Sequence, residues 1–212
     1  MKLKTTRMTL KENLKPYRLI LASKSPRRQE ILKQMGLDFE VQIRSVNEVF
    51  PKELMGIDIP IYLAQLKAEA FDQHLESNDI LITSDTIVWC DDSYMGKPKD
   101  FSDAKRLLKK LSGKAHEVNT AVCIRTADSQ SVVVDTTKVH FRVLKDQDIE
   151  QYIDEFQPFD KAGSYGVQDW IGLVAIHKIE GSYFNVMGFP SHLVYSELEK
   201  VVSQLNLKNQ YV

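Results

Sequence analysis

The chain lacks the glycine-rich loop with which many nucleotide-binding proteins cradle phosphate. No glycine run precedes a Gly-Lys-Ser or Gly-Lys-Thr, which excludes a Walker-type loop. It also lacks a basic surplus: the formal net charge of −1 argues against a general nucleic-acid binder, whose phosphate contacts need excess cations. The two cysteines, Cys90 and Cys123, lie isolated within apolar runs. That excludes a disulfide framework and predicts reduced core residues in a cytoplasmic setting. His74, His116, His140, His177 and His192 show no His-x-x-x-His spacing and no cysteine pairing, which argues against a structural zinc site. No apolar run has the length of a membrane helix. Repeats and low-complexity tracts are absent as well. What remains is a chain of 212 residues, enough for one domain, or two lobes on one sheet, around a sizeable core.

The most informative segment that is present is Leu21-Ala22-Ser23-Lys24-Ser25-Pro26-Arg27-Arg28. Apolar Leu19–Ala22 reads as a buried strand. Ser25 then stands where a helix N-cap belongs, Pro26 suits the first helical position, and Gly36 can stop the helix. A helix start attracts anions through its free N–H groups. Two arginines in that first turn oppose the helix dipole unless an anion pairs with them. The same residues also fit a surface helix carrying two solvated arginines.

Along the rest of the chain, Phe39–Ile43 reads as a second strand and Arg44–Gly56 as a long loop of the kind that often carries function. Leu63, Leu66, Ala70 and Phe71 give Ile59–Leu75 a helical stripe, and Ile80–Trp89 reads as a strand. Ser102 can cap a helix through Leu111 that Gly113 closes, and His116–Thr126 with Ser131–Val143 form a long hairpin. A helix capped by Asp146 runs to about Phe156, apolar Gly172–Ile179 is strand-like, and Pro190 begins a closing helix to Leu205. Met1–Pro16 is basic but has no hydrophobic core region. It reads as an arm, or as a short added helix packing Leu10 and Leu14, rather than a secretory signal. Strands mixed with helices and one long hairpin predict an α/β fold with a mixed sheet.

Asp85 is the strongest catalytic candidate. It interrupts the apolar strand Leu81-Ile82-Thr83-Ser84-Asp85-Thr86-Ile87-Val88-Trp89, where an unpartnered charge would be costly. A carboxylate there suits metal binding or activation of water, and it also suits capping a helix or pairing with a core arginine. Lys67, at the edge of its stripe, reads by spacing alone as a snorkelling lysine. Lys97-Pro98 and Glu48 sit in loops and carry little signal by themselves. Asp160-Lys161-Ala162-Gly163-Ser164-Tyr165-Gly166-Val167-Gln168 is more distinctive: small residues let backbone approach a ligand, and Gln168 offers a donor and an acceptor for an amide-like base edge. Gly181 to Pro190 repeats that small and polar pattern, and Asn185 can tie neighbouring backbone.

In this order the motifs resemble the Maf family of nucleoside triphosphate pyrophosphatases. The likeness rests on Ala22 to Arg28, Glu48, Lys67-Ala68, Ser84 to Val88, Lys97-Pro98 and the two glycine-containing segments, so it covers nearly everything from Leu19 to the last helix. It implies an elongated, bent mixed sheet flanked by helices, forming two lobes around a nucleotide cleft (the Maf and ITPase-like architecture). That domain would span residues 17–212, beyond a basic arm of residues 1–16. It implies cleavage between the α- and β-phosphates of dTTP and UTP, possible modified pyrimidine nucleotides included, with Asp85 as proton acceptor. Arg27, Thr86 and Gln168 would set substrate choice, and Ser23, Arg28, Lys67, Lys97 and Lys161 would meet phosphate. Glu48 and Asp85 would hold Mg²⁺ or Mn²⁺ in a cytoplasmic homodimer. The alternative is a nucleotide-binding regulator of cell division or septum formation. Three positions depart from the pattern: Lys24 where a small residue is common, Asn47 where a second acid often precedes Glu48, and Phe189 for a usual leucine.

Overall fold

The computed structural model describes residues 8–209; the first seven residues of the expected basic arm lie outside this range. The chain opens with helix α1 (Leu10–Leu14), whose Thr9 and Glu12 form a reciprocal capping box. Leu10 and Leu14 are both buried, so this part of the N-terminal segment is a packed helix. Strand β1 (Arg18–Leu21) leads into α2 (Pro26–Gln34), with Ser25 at the N-cap position and Pro26 as first helical residue. Then follow β2 (Glu40–Val41), α3 (Asp58–Glu69), β3 (Asp79–Cys90), β4 (Ser93–Met95) and α4 (Phe101–Leu111). The hairpin is β5 (Ala115–Arg125) with β6 (Gln130–Phe141), followed by α5 (Asp146–Phe156) and two short 3₁₀ turns at Pro158–Asp160 and Ala162–Ser164. The chain closes with α6 (Trp170–Ala175), β7 (Ile176–Glu180), α7 (Tyr183–Val186) and α8 (Ser191–Asn209).

The seven strands form one mixed sheet in the order β2-β1-β3-β5-β6-β7, with β4 added to β3. Its β2-β1-β3 part is parallel and its β3-β5-β6-β7 part antiparallel. One face carries α3 against Ile20, Leu81, Ala121 and Cys123. The other face carries two separate apolar cores. Leu19, Leu21, Ile80 and Ile82 pack there with residues of α2 and α8, whereas Val88, Cys90 and Val118 pack with residues of α4 and α5. Two lobes therefore share the long strands β3, β5 and β6. No helix among the described residues is long and apolar enough to cross a membrane.

Several boundaries differ from the sequence expectation for identifiable reasons. The Gly172–Ile179 segment is not a single strand: its first half is α6 and only Ile176 onward is β7. Ile171 and Ala175, four apart, are both buried, and Asp169 occupies the helix N-cap position. A four-residue apolar run cannot distinguish the two periods by itself. Gly172 is required there by packing, since an added Cβ would sit 1.9 Å from the Val167 carbonyl oxygen. The expected second strand shrinks to Glu40–Val41, and α3 stops at Glu69 rather than Leu75. Asp100, not Ser102, caps α4 by accepting from the Asp103 N–H at 2.8 Å. Lys145 stands at the N-cap of α5, and Asp146 begins that helix. Cys90 and Cys123 are buried and unpaired with each other.

Candidate functional site

The site begins with a gap in the sheet. Along one edge of β3, pairing with β1 ends at Leu21–Ile82 and pairing with β4 resumes only at Val88–Met95. The opposite edge stays paired to β5 throughout, with Asp85 opposite Ala121. Residues 83–87 thus present one open strand edge beyond the carboxyl end of β1. In open α/β sheets that is where ligands settle. Because side chains alternate along a strand, Thr83 and Asp85 point to the α3 face while Ser84 and Thr86 point between the two lobes.

On the α3 face, Thr83 Oγ1 donates to the Ala64 carbonyl at 2.6 Å, and this contact sets α3 against β3 one turn before Lys67. Lys67 Nζ then reaches Asp85 Oδ1 at 2.5 Å and Glu48 Oε1 at 3.3 Å. Lys67 is therefore not a snorkelling surface lysine but the shared cation of two carboxylates. Asp85 is only 8% exposed. Burial pushes its carboxyl above the ordinary carboxylate range, against the pull of Lys67 and Arg28 in the other direction.

On the other face Arg28 bridges the gap. Its Nη1 donates to the Ser84 carbonyl at 2.8 Å and to Ser23 Oγ at 3.4 Å, its Nη2 to Thr86 Oγ1 at 3.0 Å, and its Nε to the Gly188 carbonyl at 2.9 Å. Most of its fork is thus committed to protein acceptors. Burial lowers its pKa to about 10, so it stays charged at neutral pH. Gly188 has φ of +94°, and a Cβ there would lie 3.1 Å from Thr86 Oγ1. Behind Thr86 runs a polar seam. Thr86 and Thr120 share a hydrogen bond of 3.0 Å, and Thr120 Oγ1 donates to the Asn185 carbonyl at 3.1 Å. Asn185 Nδ2 donates to the Val118 carbonyl and to Thr137 Oγ1, tying backbone as its sequence context suggested.

Two adjoining cavities occupy the cleft. The larger, about 360 Å³, is lined by the Ala22–Arg28 turn, Arg44, Glu48 and Lys67 among others. The smaller, about 110 Å³, holds Asp85, Thr86, Lys161, Tyr165 and Gln168. Lys67, Lys97, Arg27, Arg28 and Asp160 line both. Seven cationic side chains face three carboxylates across the pair, a formal surplus of four positive charges in a chain whose overall net charge is −1. Arg27 Nη1 pairs with Asp160 Oδ2 at 3.2 Å, and Lys161 Nζ holds Asp160 Oδ1 at 2.8 Å. Partial burial raises the Asp160 carboxyl, but these two cations outweigh it and keep its pKa below the usual value. Gln168 is exposed at the mouth, its Nε2 donating to Asp169 Oδ1 at 3.1 Å. Lys97 has no ion-pair partner among the described residues.

All ten residues singled out in the sequence therefore border this cleft: Ser23, Arg27, Arg28, Glu48, Lys67, Asp85, Thr86, Lys97, Lys161 and Gln168. Sequence reasoning did not single out Arg44, which lies in the long loop after β2 and whose guanidinium sits over the Phe71 ring at 5.1 Å. Nor did it give Asp160 a role in neutralising Arg27. No local signal marks either residue, because each acts through a partner distant in sequence.

A family model described as Maf-like protein matches residues 18–201. A dTTP/UTP pyrophosphatase of Flavobacterium johnsoniae is 49% identical over 193 residues, covering 91% of this chain and 100% of that protein. A dTTP/UTP pyrophosphatase of Flavobacterium psychrophilum is 50% identical, covering 88% of this chain and 95% of its own length. Among solved structures, the Staphylococcus aureus Ham1 protein is a partial likeness: TM-score 0.37 and 16% identity over 58% of this chain and 71% of that one.

Proposed function

The chain belongs to the Maf family, and on that premise we propose that it hydrolyses dTTP and UTP to the nucleoside monophosphate and pyrophosphate. The observation that carries this reading is Asp85, a buried carboxylate on an open strand edge, lining the small cavity with amide and hydroxyl groups that adjoins a larger basic one. In this reading the base and sugar occupy the smaller cavity and the phosphates extend into the larger.

Opening the α–β anhydride demands an activated water and a positive surround for the charge on the phosphates. Asp85 accepts the proton of the attacking water. Its raised pKa makes it a better base than an exposed aspartate. Since only the deprotonated form can act, activity falls as pH drops through that pKa, above the ordinary carboxylate range. Lys67 orients Asp85, while Arg27, Lys97 and Lys161 supply charge near the substrate. Arg28 contributes charge, and its hydrogen bonds hold Ser84 and Thr86 on either side of the base.

A divalent cation fits this donor set. Asp85 and Glu48 already converge on one positive centre, the Lys67 ammonium, and both offer hard oxygen ligands. Among the described residues no cluster of three His, Cys, Asp or Glu is placed to hold a metal. The chemistry therefore suits Mg²⁺ or Mn²⁺ held by one or two carboxylates together with substrate phosphate. Such an ion would neutralise phosphate charge and lower the pKa of water.

Uracil and thymine present acceptor, donor and acceptor along their pairing edge. The Gln168 amide can match two of these at once, and cytosine would need it flipped. That match, rather than burial of the exposed Gln168 side chain, is what would favour uracil and thymine over cytosine. The test is pyrophosphate release across a panel of nucleoside triphosphates with Mg²⁺, Mn²⁺ or neither, run on the unmodified protein and on Asp85→Asn. Turnover of UTP and dTTP that Asp85→Asn abolishes while nucleotide binding persists is the expected result. Near wild-type hydrolysis by that variant would remove Asp85 from the role of base, and binding without turnover by the unmodified protein would favour the regulatory alternative.

A further inference from the structure

The cations of the cleft are not equally available to a ligand. Arg28 has spent most of its donors on Ser84, Thr86, Gly188 and Ser23. Lys67 is held by Asp85 and Glu48, and Arg27 and Lys161 by Asp160. Three cations lining the cleft carry no ion pair among the described residues: Lys24, Arg44 and Lys97. Lys97 borders both cavities, whereas Lys24 and Arg44 border only the larger one. Asp85, in contrast, borders only the smaller.

Arg44 is also shaped for an anion. Its guanidinium lies over the ring of Phe71, which is itself 2% exposed and therefore fixed. A cation–π contact of this kind spends no N–H donor, and none of the Arg44 donors meets a protein acceptor among the described residues. The fork thus rests near a fixed ring with its donors unspent, and an unspent guanidinium fork can bind phosphate oxygens in pairs. Arg28 is the converse case, with its edges consumed.

We propose that Arg44, with Lys24 beside it in the larger cavity, binds the pyrophosphate end of the substrate and retains the pyrophosphate product after cleavage. The inference rests on the proposed triphosphate reading, because the base and Asp85 at one end of the cleft leave the terminal phosphates at the other. It assigns a substrate-binding task to a loop residue and to a lysine at a position where the family resemblance leads one to expect a small residue.

The experiment compares the unmodified protein with Arg44→Ala and Arg44→Lys, using inorganic pyrophosphate, tripolyphosphate and UMP as separate probes. Arg44 is exposed, so its removal should leave the thermal midpoint in place. Arg44→Ala is expected to weaken pyrophosphate and tripolyphosphate binding about tenfold and to raise KM for UTP by a similar factor. UMP inhibition should be unchanged, kcat little affected, and Arg44→Lys should recover part of the loss. Pyrophosphate affinity within about twofold of the unmodified protein, or an equal loss for UMP, would overturn the assignment. Titration by calorimetry reads pyrophosphate binding without turnover. A protein that failed to hydrolyse UTP and dTTP would therefore refute the activity while the anion site was still judged on its own result.

Discussion

Replacing Arg28 with lysine would keep a positive charge at the cleft and remove the fork that joins its walls. The guanidinium donates to two carbonyls, Ser84 and Gly188, and to two hydroxyls, Thr86 and Ser23, at 2.8–3.4 Å. A lysine has one ammonium, which cannot span both carbonyls and the Thr86 hydroxyl together. At least two charge-assisted hydrogen bonds would go, each worth about 1.5–3 kcal/mol, with some return from water entering the space. The expected loss of stability is therefore about 2–4 kcal/mol. Urea unfolding at neutral pH measures it: for a slope near 2–3 kcal/mol per molar, the midpoint should fall by about 1 M. Arg27→Lys is the control, because its ion pair with Asp160 is partly exposed and worth about 1 kcal/mol or less. An unchanged midpoint for Arg28→Lys, accompanied by a raised KM for UTP, would refute this reasoning. It would mean that the fork serves the substrate rather than the protein.

Other consequences can be checked with less effort. Burial lowers the pKa of His116 to about 3, whereas an unfolded histidine titrates near 6.5. The unfolded chain therefore binds the extra proton first as pH falls below 6.5, and the native state loses stability down to about pH 3. The contribution is about 2 kcal/mol at pH 5, and His116→Gln should flatten the slope of unfolding free energy between pH 6.5 and pH 4. An equal slope in both proteins would contradict the buried neutral imidazole. Gln168→Glu should depress turnover of UTP and dTTP relative to GTP, because a carboxylate cannot donate to a pyrimidine carbonyl. An unchanged ratio of UTP to GTP hydrolysis would refute base reading by this residue.

The features legible in the sequence are those with a local cause. Pro26 and Gly36 punctuate α2 by their own backbone chemistry, Gly36 taking φ of +75°, whereas Ser25 holds the N-cap position without a side-chain cap bond. Asp85 stood out because a carboxylate in an apolar strand needs a partner, and Lys67 supplies it. The different roles of Arg27 and Arg28 were not legible. Adjacent in sequence, they part only because one meets Asp160 at the cleft mouth and the other meets Gly188 beneath it. Arg44 was silent for the same reason: its contact is a ring near the end of α3. The half-helical Gly172–Ile179 segment escaped because its periodic signal was shorter than one and a half helical turns.

The link from Arg28 to Gly188 joins residues 160 positions apart. Together with Asn185, which fastens β5 and β6 from the far end of the chain, it makes the cleft a late product of protein synthesis. The open edge beside Asp85 acquires its second wall only after residues near 188 have left the ribosome, and the core of β1, α2 and β3 closes only when α8 follows. Products truncated before residue 188 should therefore lack both the finished cleft and the α8 side of that core, and turn over nothing. A cell that translates this message incompletely would be left with an inert fragment rather than a half-built cleft that still works.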